Sequence, residues 1–384
     1  MGPESLAEQS TRERKAWHRC RVTQQLWNPP PAGPPAPPGY GRPSGSPNAY
    51  YPGYPAPAFA QPPFGRGGVP QYGPAPNMPA PRTRRPARML LLALIVVGLA
   101  TLAALVIANL SSEPTDVAYA NDDYRVPPPD TNPPPLPQPQ TYEEAEQWIT
   151  ANAFYAQTAP LPVRCNSQPI NVNTASDEQL DSHFEGLMEC LVRVWQPPIT
   201  AAGFIIVRPT VTIYGQEITT KCGTTGVNAF YCSADQQLYY SDQLPQAIPR
   251  VAENKWTADI IMAHEYAHLL QGRTGIAISA HALGQRSGDQ ASNFAYIRRL
   301  ETQADCFSGM FVRAVSVSLG VQQQDLEGIE GTYVAIGDDT LSGDPQVVGN
   351  HGLARSRKFW GTKGLGTSAV GDCNTFIAPP NLVR

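Results

Sequence analysis

The chain has 384 residues, 41% of them hydrophobic, and its 41 prolines and 32 glycines are too many for one uniform globular domain. The net charge of -4 is unevenly distributed: residues 1–88 hold 11 basic and 3 acidic side chains, whereas residues 89–384 hold 17 and 29. An acidic C-terminal part argues against nucleic acid as its partner, because phosphate binding requires clustered Lys and Arg.

Residues 1–88 are rich in Pro, Gly and Tyr, as in "PPPAGPPAPPGYGRPSGSP". They offer too few aliphatic side chains to offset the entropy of ordering the backbone, which predicts a disordered tail with polyproline II character. Such a tail could bind a Pro-recognising partner or act only as a solvated spacer. The sequence identifies no partner for it.

Residues 89–110, "MLLLALIVVGLATLAALVIANL", contain no charged side chain and are long enough to cross a bilayer core of roughly 30 Å. Four arginines precede this run, so the positive-inside rule places the tail in the cytoplasm and the C-terminal part outside the cell membrane. The competing interpretation is a cleaved signal peptide with Ala118-Tyr119-Ala120 as its cleavage site. The apolar run exceeds the ~7 to 15 residues of the apolar region of a signal peptide, and 88 residues precede it, which favours a single-pass anchor in the lipid bilayer.

Residues 111–140 include "VPPPDTNPPPLPQPQ", which predicts a stiff Pro-rich stalk followed by a folded domain over residues 141–384. Six of the seven cysteines lie beyond the predicted anchor, and an even number in an oxidising compartment indicates disulfides. Cys222 and Cys232 flank a Gly-rich connection and are expected to pair. Sequence proximity and elimination then give two further pairs out of the 15 pairings that six cysteines allow: Cys165 with Cys190, and Cys306 with Cys373.

The domain is expected to belong to the α+β class, mainly helical with a small antiparallel sheet. "TYEEAEQWITANAFYAQ" and "SDEQLDSHFEGLMECLVRVW" both open with capping-box spacing and predict helices. "FIIVRPTVTIYG", "AFYC" and "LYY" have the aromatic and β-branched content of short strands. A further helix is predicted from Ala252 to Gln271, stopping at Gly272. His183 lies beside the apolar face of its helix and is interpreted as structural.

The last two turns of that further helix contain "HEYAH", in which His264 and His268 are four residues apart. Positions i and i+4 share one face of a helix, so both imidazoles can reach one metal ion. Glu265 is offset by about 100° around the axis, which suits a base acting on water rather than a ligand. An ordinary helix with solvated or core histidines is the alternative.

A second helical stretch, "RRLETQADCFSGMF", holds Glu301 and Asp305, again four residues apart within an apolar pattern. Two carboxylates facing a core need partners. A zinc ion would satisfy Glu301, and the second ring nitrogen of a ligating histidine would satisfy Asp305. The two helices together favour a zinc site.

His-Glu-x-x-His followed by Glu-x-x-x-Asp resembles the thermolysin-like, or gluzincin, metallopeptidases. The runs "FYCSADQQLYYSD", "MAHEYAHLLQG", "LETQADCFSGMF" and "HGLARSRKFWGTKGLGTSAVGDCNTF" are similar to the bacterial neutral zinc metallopeptidase family. The resemblance covers residues 166–376 and implies a zincin-like fold with one Zn2+. It also implies hydrolysis of a peptide or protein substrate outside the membrane.

The resemblance assigns His264, His268 and Glu301 as zinc ligands, Glu265 as the catalytic base and Asp305 as the partner of a ligating histidine. His351 is expected to stabilise the oxyanion, and the alternative is a loop histidine that caps the following helix. His281 is a weaker candidate for the oxyanion role. The edge strand along which the substrate aligns is expected to be "AFYC".

A catalytically inactive, zinc-containing, membrane-anchored scaffold or binding protein is the alternative function. The intact Glu265 counts against it.

Overall fold

A computed structural model of the protein describes residues 117–384. The predicted tail (1–88), the predicted transmembrane helix (89–110) and the first six residues of the predicted stalk lie outside the described residues. Among residues 117–384, no helix combines the length and the apolar character that a bilayer crossing requires.

The described part is an α+β fold that is mostly helical, as predicted. Its α-helices, in chain order, are α1 (Tyr142–Thr150), α2 (Asp177–Ala201), α3 (Leu244–Ala247), α4 (Pro249–Glu253), α5 (Thr257–Arg273), α6 (Ile276–Arg286), α7 (Gln290–Leu319), α8 (Gln323–Ala335), α9 (Asp338–Ser342) and α10 (Ala354–Gly366). Short 3-10 turns lie at Ala153–Ala156, Val370–Cys373, Thr375–Ile377 and Pro380–Leu382.

Both predicted helix starts are confirmed. The Thr141 hydroxyl accepts from the backbone N–H of Glu144, and Ser176 and Gln179 form a reciprocal capping box on α2. The first helix is shorter than predicted because Asn152 intervenes. Its side-chain oxygen accepts from the N–H of Phe154 and starts a 3-10 turn there.

The strands are β1 (Val211–Tyr214), β2 (Ile218–Thr220), β3 (Gly223–Thr225), β4 (Ala229–Cys232) and β5 (Gln237–Ser241). They form a β2–β3 hairpin and a three-stranded sheet of order β1-β5-β4. The expectation of a purely antiparallel sheet is wrong, because β1 runs parallel to β5 while β4 runs antiparallel to it. The intervening hairpin and β4 supply the long crossover that a parallel pair needs.

Helix α5 runs through the centre of the domain, and all 17 of its residues are buried. It begins at Thr257 rather than at Ala252, because Asn254 accepts a hydrogen bond from the N–H of Trp256 and separates α5 from α4. It also continues one residue past Gly272. A helix that is buried on every side presents its functional side chains only to neighbouring elements, here chiefly α7 and β4.

Helix α10 packs closely along α7 through three glycines. A Cβ atom on Gly364 would overlap the carbonyl oxygen of Cys306, and one on Gly309 would overlap that of Gly361. The two backbones can therefore approach only where these side chains are absent. This contact determines the position of α10 relative to α7, the helix that carries Glu301 and Asp305.

We expect Gly364→Ala to lower the free energy of unfolding by about 1–3 kcal/mol, because the added methyl group must push α10 off α7. Gly331→Ala is the matched control, since this glycine of α8 has open space around its Cβ position. The control should be neutral or stabilising by about 0.4–1 kcal/mol. Urea unfolding measures both, and equal effects would contradict the close contact.

Residues 118–140 pack on the domain, so the folded part of the described chain begins before the predicted boundary at Thr141. The N–H of Asp130 donates to the carbonyl of Arg208, and the Asp130 carbonyl accepts from Gln237. The Pro134 carbonyl accepts from both Gln236 and Arg273. Proline carbonyls remain free to accept such bonds, which a composition-based expectation of a free stalk does not take into account.

The six cysteines of the domain pair as predicted. The bonds join Cys165 to Cys190, Cys222 to Cys232 and Cys306 to Cys373. The third bond links the middle of α7 to the 3-10 turn that follows α10.

Candidate metal centre

The histidines of α5 lie side by side with their Nε2 atoms 3.2 Å apart. Their rings are nearly perpendicular, and each residue is only 4% exposed. One helical turn separates them, as the i, i+4 spacing predicts.

Glu301 on α7 faces both of these nitrogens. Its Oε2 lies 3.3 Å from Nε2 of His264, and its Oε1 lies 3.5 Å from Nε2 of His268. Glu265 is a second carboxylate nearby, since one oxygen of it and one ring nitrogen of each histidine lie within 4.8 Å of one another. Glu301 is the closer match to the histidine pair, because both of its oxygens point at the two Nε2 atoms.

Each histidine is held at its other ring nitrogen by an acceptor. Nδ1 of His264 lies 2.9 Å from Oδ1 of Asp305, and Nδ1 of His268 lies 2.8 Å from Oε1 of Gln271. A proton on each Nδ1 satisfies these contacts and leaves a lone pair on each Nε2. Two imidazole lone pairs and a carboxylate then converge on one point.

This donor set fits a zinc ion. Two imidazoles and one carboxylate, with a further position open, are ligands that Zn2+ takes in catalytic sites. The buried cluster also contains the carboxylates of Glu265, Glu301 and Asp305 against the single guanidinium of Arg357. An excess of buried negative charge favours a divalent cation at the centre.

Arg357 of α10 is one of the residues at this site that the sequence did not reveal. Its Nε and Nη2 donate to the two oxygens of Asp305 at 2.9 and 2.8 Å, and its Nη1 donates to the carbonyl of Ile336. Burial raises the pKa of Asp305, but Arg357 and His264 together outweigh burial and hold that pKa below its ordinary value. Asp305 is thereby kept as the carboxylate that orients His264.

We expect Arg357→Met to lower the free energy of unfolding by about 3–5 kcal/mol, because Asp305 would be left buried without its cation. The double variant Arg357→Met, Asp305→Asn should recover part of this loss, since neither charge then remains unpaired. Chemical denaturation of both proteins measures the effect. A single variant as stable as the wild type would show that the pair contributes little.

Glu265 points towards strand β4. Its Oε2 accepts from the backbone N–H of Tyr231 at 3.0 Å. Burial raises the pKa of Glu265 above its ordinary value, against the opposing effect of His268 and His264. Strand β4 is an edge of the sheet, as expected for "AFYC", and the Tyr231 N–H lies on its unpaired side.

His351 lies in the same cavity as His264, Glu265 and Glu301. Its Nδ1 is 3.0 Å from Oδ1 of Asp338, whose other oxygen accepts from the backbone N–H groups of His351 and Gly352. Gly352 adopts a φ of 98°, which favours glycine and turns the chain back towards Asp338.

His281 does not line that cavity. Burial lowers its pKa to about 4, so the ring is neutral at ordinary pH and is poorly suited to stabilise an anion.

The cavity has a volume of about 80 Å³, and Asn228 and Arg357 are its other polar residues. Its apolar side chains come from β4, from the stretch that runs from α3 to α5, from the turn after α8 and from α9: Ala229, Leu244, Ile248, Ile261, Ile336 and Leu341.

A larger hollow of about 680 Å³ lies beside the Cys165–Cys190 bond. It contains His183, whose ring nitrogens contact Ser167 and Asp259 at 3.1 and 2.6 Å, which supports the structural interpretation of this histidine.

Comparison with known proteins agrees with this geometry. Residues 153–376 match the family model described as "Putative neutral zinc metallopeptidase". The uncharacterized protein YpfJ of Escherichia coli is 28% identical over 193 residues, covering 47% of this chain and 66% of the relative. The uncharacterized protein Rv2575 of Mycobacterium tuberculosis is 27% identical over 207 residues, covering 48% of this chain and 67% of the relative.

The match thus spans about two thirds of these curated relatives. No protein of solved structure gives a significant match. The family model covers more than half of the chain and includes both helices of the metal centre, so the chain belongs to the neutral zinc metallopeptidase family.

Proposed function

We propose that the protein is a zinc-dependent peptidase of the gluzincin type with a zincin-like fold. In this proposal His264, His268 and Glu301 bind Zn2+, and Glu265 is the catalytic base. The observation that carries it is the convergence of two Nε2 lone pairs and the Glu301 carboxylate. Glu265 lies beside them, with one oxygen within 4.8 Å of a ring nitrogen of each histidine.

When bound, zinc supplies a Lewis acid that polarises the scissile carbonyl and acidifies water. Glu265 accepts the proton from water and passes it to the leaving amine. The hydrogen bond from the Tyr231 N–H holds one oxygen of Glu265, which leaves the other oxygen to accept this proton. Burial, which raises the pKa of Glu265, brings its basicity closer to that needed at neutral pH.

His351 donates a hydrogen bond to the carbonyl oxygen as negative charge develops on it. Asp338 holds the Nδ1 side of the ring, so Nε2 is the nitrogen left for that hydrogen bond. The contact between Asp338 and His351 also orients the His351 ring towards the cavity that is lined by Glu301 and Glu265.

The substrate is a peptide in extended conformation. Strand β4 is an edge strand, and Ala229 at its start lines the cavity next to the centre. Main-chain hydrogen bonds along such an edge align a peptide as an added strand. The aliphatic wall of the cavity then accepts an apolar side chain next to the cleaved bond.

The anchor proposed for residues 89–110 places the catalytic domain outside the cell and the tail inside. Protease added to intact cells should therefore remove the C-terminal domain and spare residues 1–88. Protection of the C-terminal domain would reverse this orientation.

The test of the proposed activity is cleavage of a peptide library by the purified full chain, measured together with its zinc content. We expect one zinc per chain, cleavage next to large aliphatic residues, loss of cleavage with a chelator and recovery with added zinc. A protein that holds zinc but cleaves no peptide would instead support the inactive scaffold.

A further inference from the structure

Two buried glutamines connect His268 to the protein backbone. Oε1 of Gln271 accepts from Nδ1 of His268 at 2.8 Å, and Nε2 of Gln271 donates to the carbonyl of Leu300 at 2.8 Å and to Oε1 of Gln303 at 3.1 Å. Nε2 of Gln303 donates to the Tyr155 hydroxyl at 2.9 Å and to the carbonyl of Cys373 at 3.2 Å. Both glutamines are 0% exposed.

The orientation of each amide is determined by the atoms it faces. Turning Gln271 over would place its oxygen against the Leu300 carbonyl and the oxygen of Gln303, two acceptors. Turning Gln303 over would place its oxygen against the Cys373 carbonyl. An unpaired buried acceptor is costly, so both amides are held as they stand.

A fixed acceptor at Nδ1 determines the tautomer of His268. Because Gln271 presents its oxygen, Nδ1 carries the proton and Nε2 keeps its lone pair. The carbonyls that impose this arrangement belong to the main chain, and one of them is that of Cys373. The Cys306–Cys373 bond joins this residue to α7, directly after Asp305, which holds the other histidine.

We infer that Gln271 and Gln303 are positioning residues that keep Nε2 of His268 available to the metal. These two side chains and the Cys373 carbonyl form a hydrogen-bonded chain, the amide relay, and the Cys306–Cys373 bond holds that carbonyl in place. This inference rests on the proposed metal centre. It adds residues that touch neither the metal site nor a substrate, namely Gln303 and Cys373. It also predicts that zinc affinity depends on the Cys306–Cys373 disulfide and not on the other two.

Gln303→Leu tests the relay because it removes one of the two acceptors of Gln271 and leaves both histidines unchanged. We expect zinc affinity of the full chain, measured by competition with a chromophoric chelator, to fall by ~10 to 100-fold. The visible spectrum of the cobalt-substituted protein should also change, because the orientation of one ligand is altered.

Gln237→Leu is the matched control, since Gln237 is also a buried amide and bonds Thr210 and Asp130 away from the histidines. It should leave zinc affinity and the cobalt spectrum unchanged. Replacing Cys306 and Cys373 together by Ala should weaken zinc binding, whereas the same change at Cys165 and Cys190 should not. Circular dichroism identifies the variants that fold, and zinc affinities are compared among these only.

Equal zinc affinity in Gln303→Leu and the wild type would overturn the relay, as would an equal loss in Gln237→Leu. Peptide cleavage is measured separately on the wild type. Zinc binding without cleavage would sink the proposed activity and leave the comparison of affinities intact.

Discussion

Glu265→Gln should give a folded protein that retains its zinc but loses at least ~10²-fold in peptide turnover. The amide has the size of the carboxylate but cannot accept a proton from water. It can still accept the hydrogen bond from the Tyr231 N–H through its oxygen, so the local structure is preserved. The effect should fall on kcat, because substrate alignment along β4 does not depend on the proton.

Elemental analysis and steady-state kinetics on the same preparation check this result. Glu185→Gln is a suitable control, since Glu185 pairs with Arg208 away from the centre. If Glu265→Gln lost zinc in proportion to activity, Glu265 would be a ligand rather than the base. Full activity in this variant would remove it from the mechanism altogether.

Glu301→Ala should release zinc and abolish activity together. The substitution removes both oxygens that face the histidine pair and leaves two imidazoles as the remaining donors. Zinc held by two ligands should be lost during dialysis, which elemental analysis would detect.

Asp305→Ala provides a graded comparison with Glu301→Ala. Asp305 contacts Nδ1 of His264 and not the metal-facing side, so we expect zinc affinity or activity to fall by ~10 to 100-fold rather than completely. Stoichiometric zinc in Glu301→Ala would require another third ligand and would refute the two-helix site.

The candidate site was predictable where it depends on local geometry. The four-residue spacings place His264 beside His268 and Glu301 beside Asp305 on their helices. An apolar helical pattern with unexplained carboxylates was enough to suggest that the two helices face each other. The structure agrees, and it also gives Asp305 the expected contact with a histidine.

The residues that the sequence did not reveal depend on tertiary packing. Arg357 reaches Asp305 because α10 approaches α7 at glycines, and no pattern distinguishes this arginine from a solvated one on the same helix. Asp338 and Gln303 likewise acquire their roles from partners 13 and 70 residues away. The segment "HGLARSRKFW" contains both His351 and Arg357, but its sequence indicates a catalytic role for the histidine only.

The fold shows the same division between local and long-range information. The helix caps predicted at Thr141 and Ser176 depend on neighbouring residues only, and the structure confirms both. The parallel pairing of β1 with β5 and the packing of residues 118–140 were not foreseen, since both depend on contacts distant in sequence.

The central claim is that Glu301 binds the metal and Glu265 does not. Anomalous diffraction at the zinc absorption edge, on crystals of the zinc-loaded domain, tests this most directly. We expect one peak bonded to Nε2 of His264, Nε2 of His268 and an oxygen of Glu301, with the carboxylate of Glu265 close by but not bonded. A peak bonded to Glu265 in place of Glu301, or no peak between α5 and α7, would contradict it.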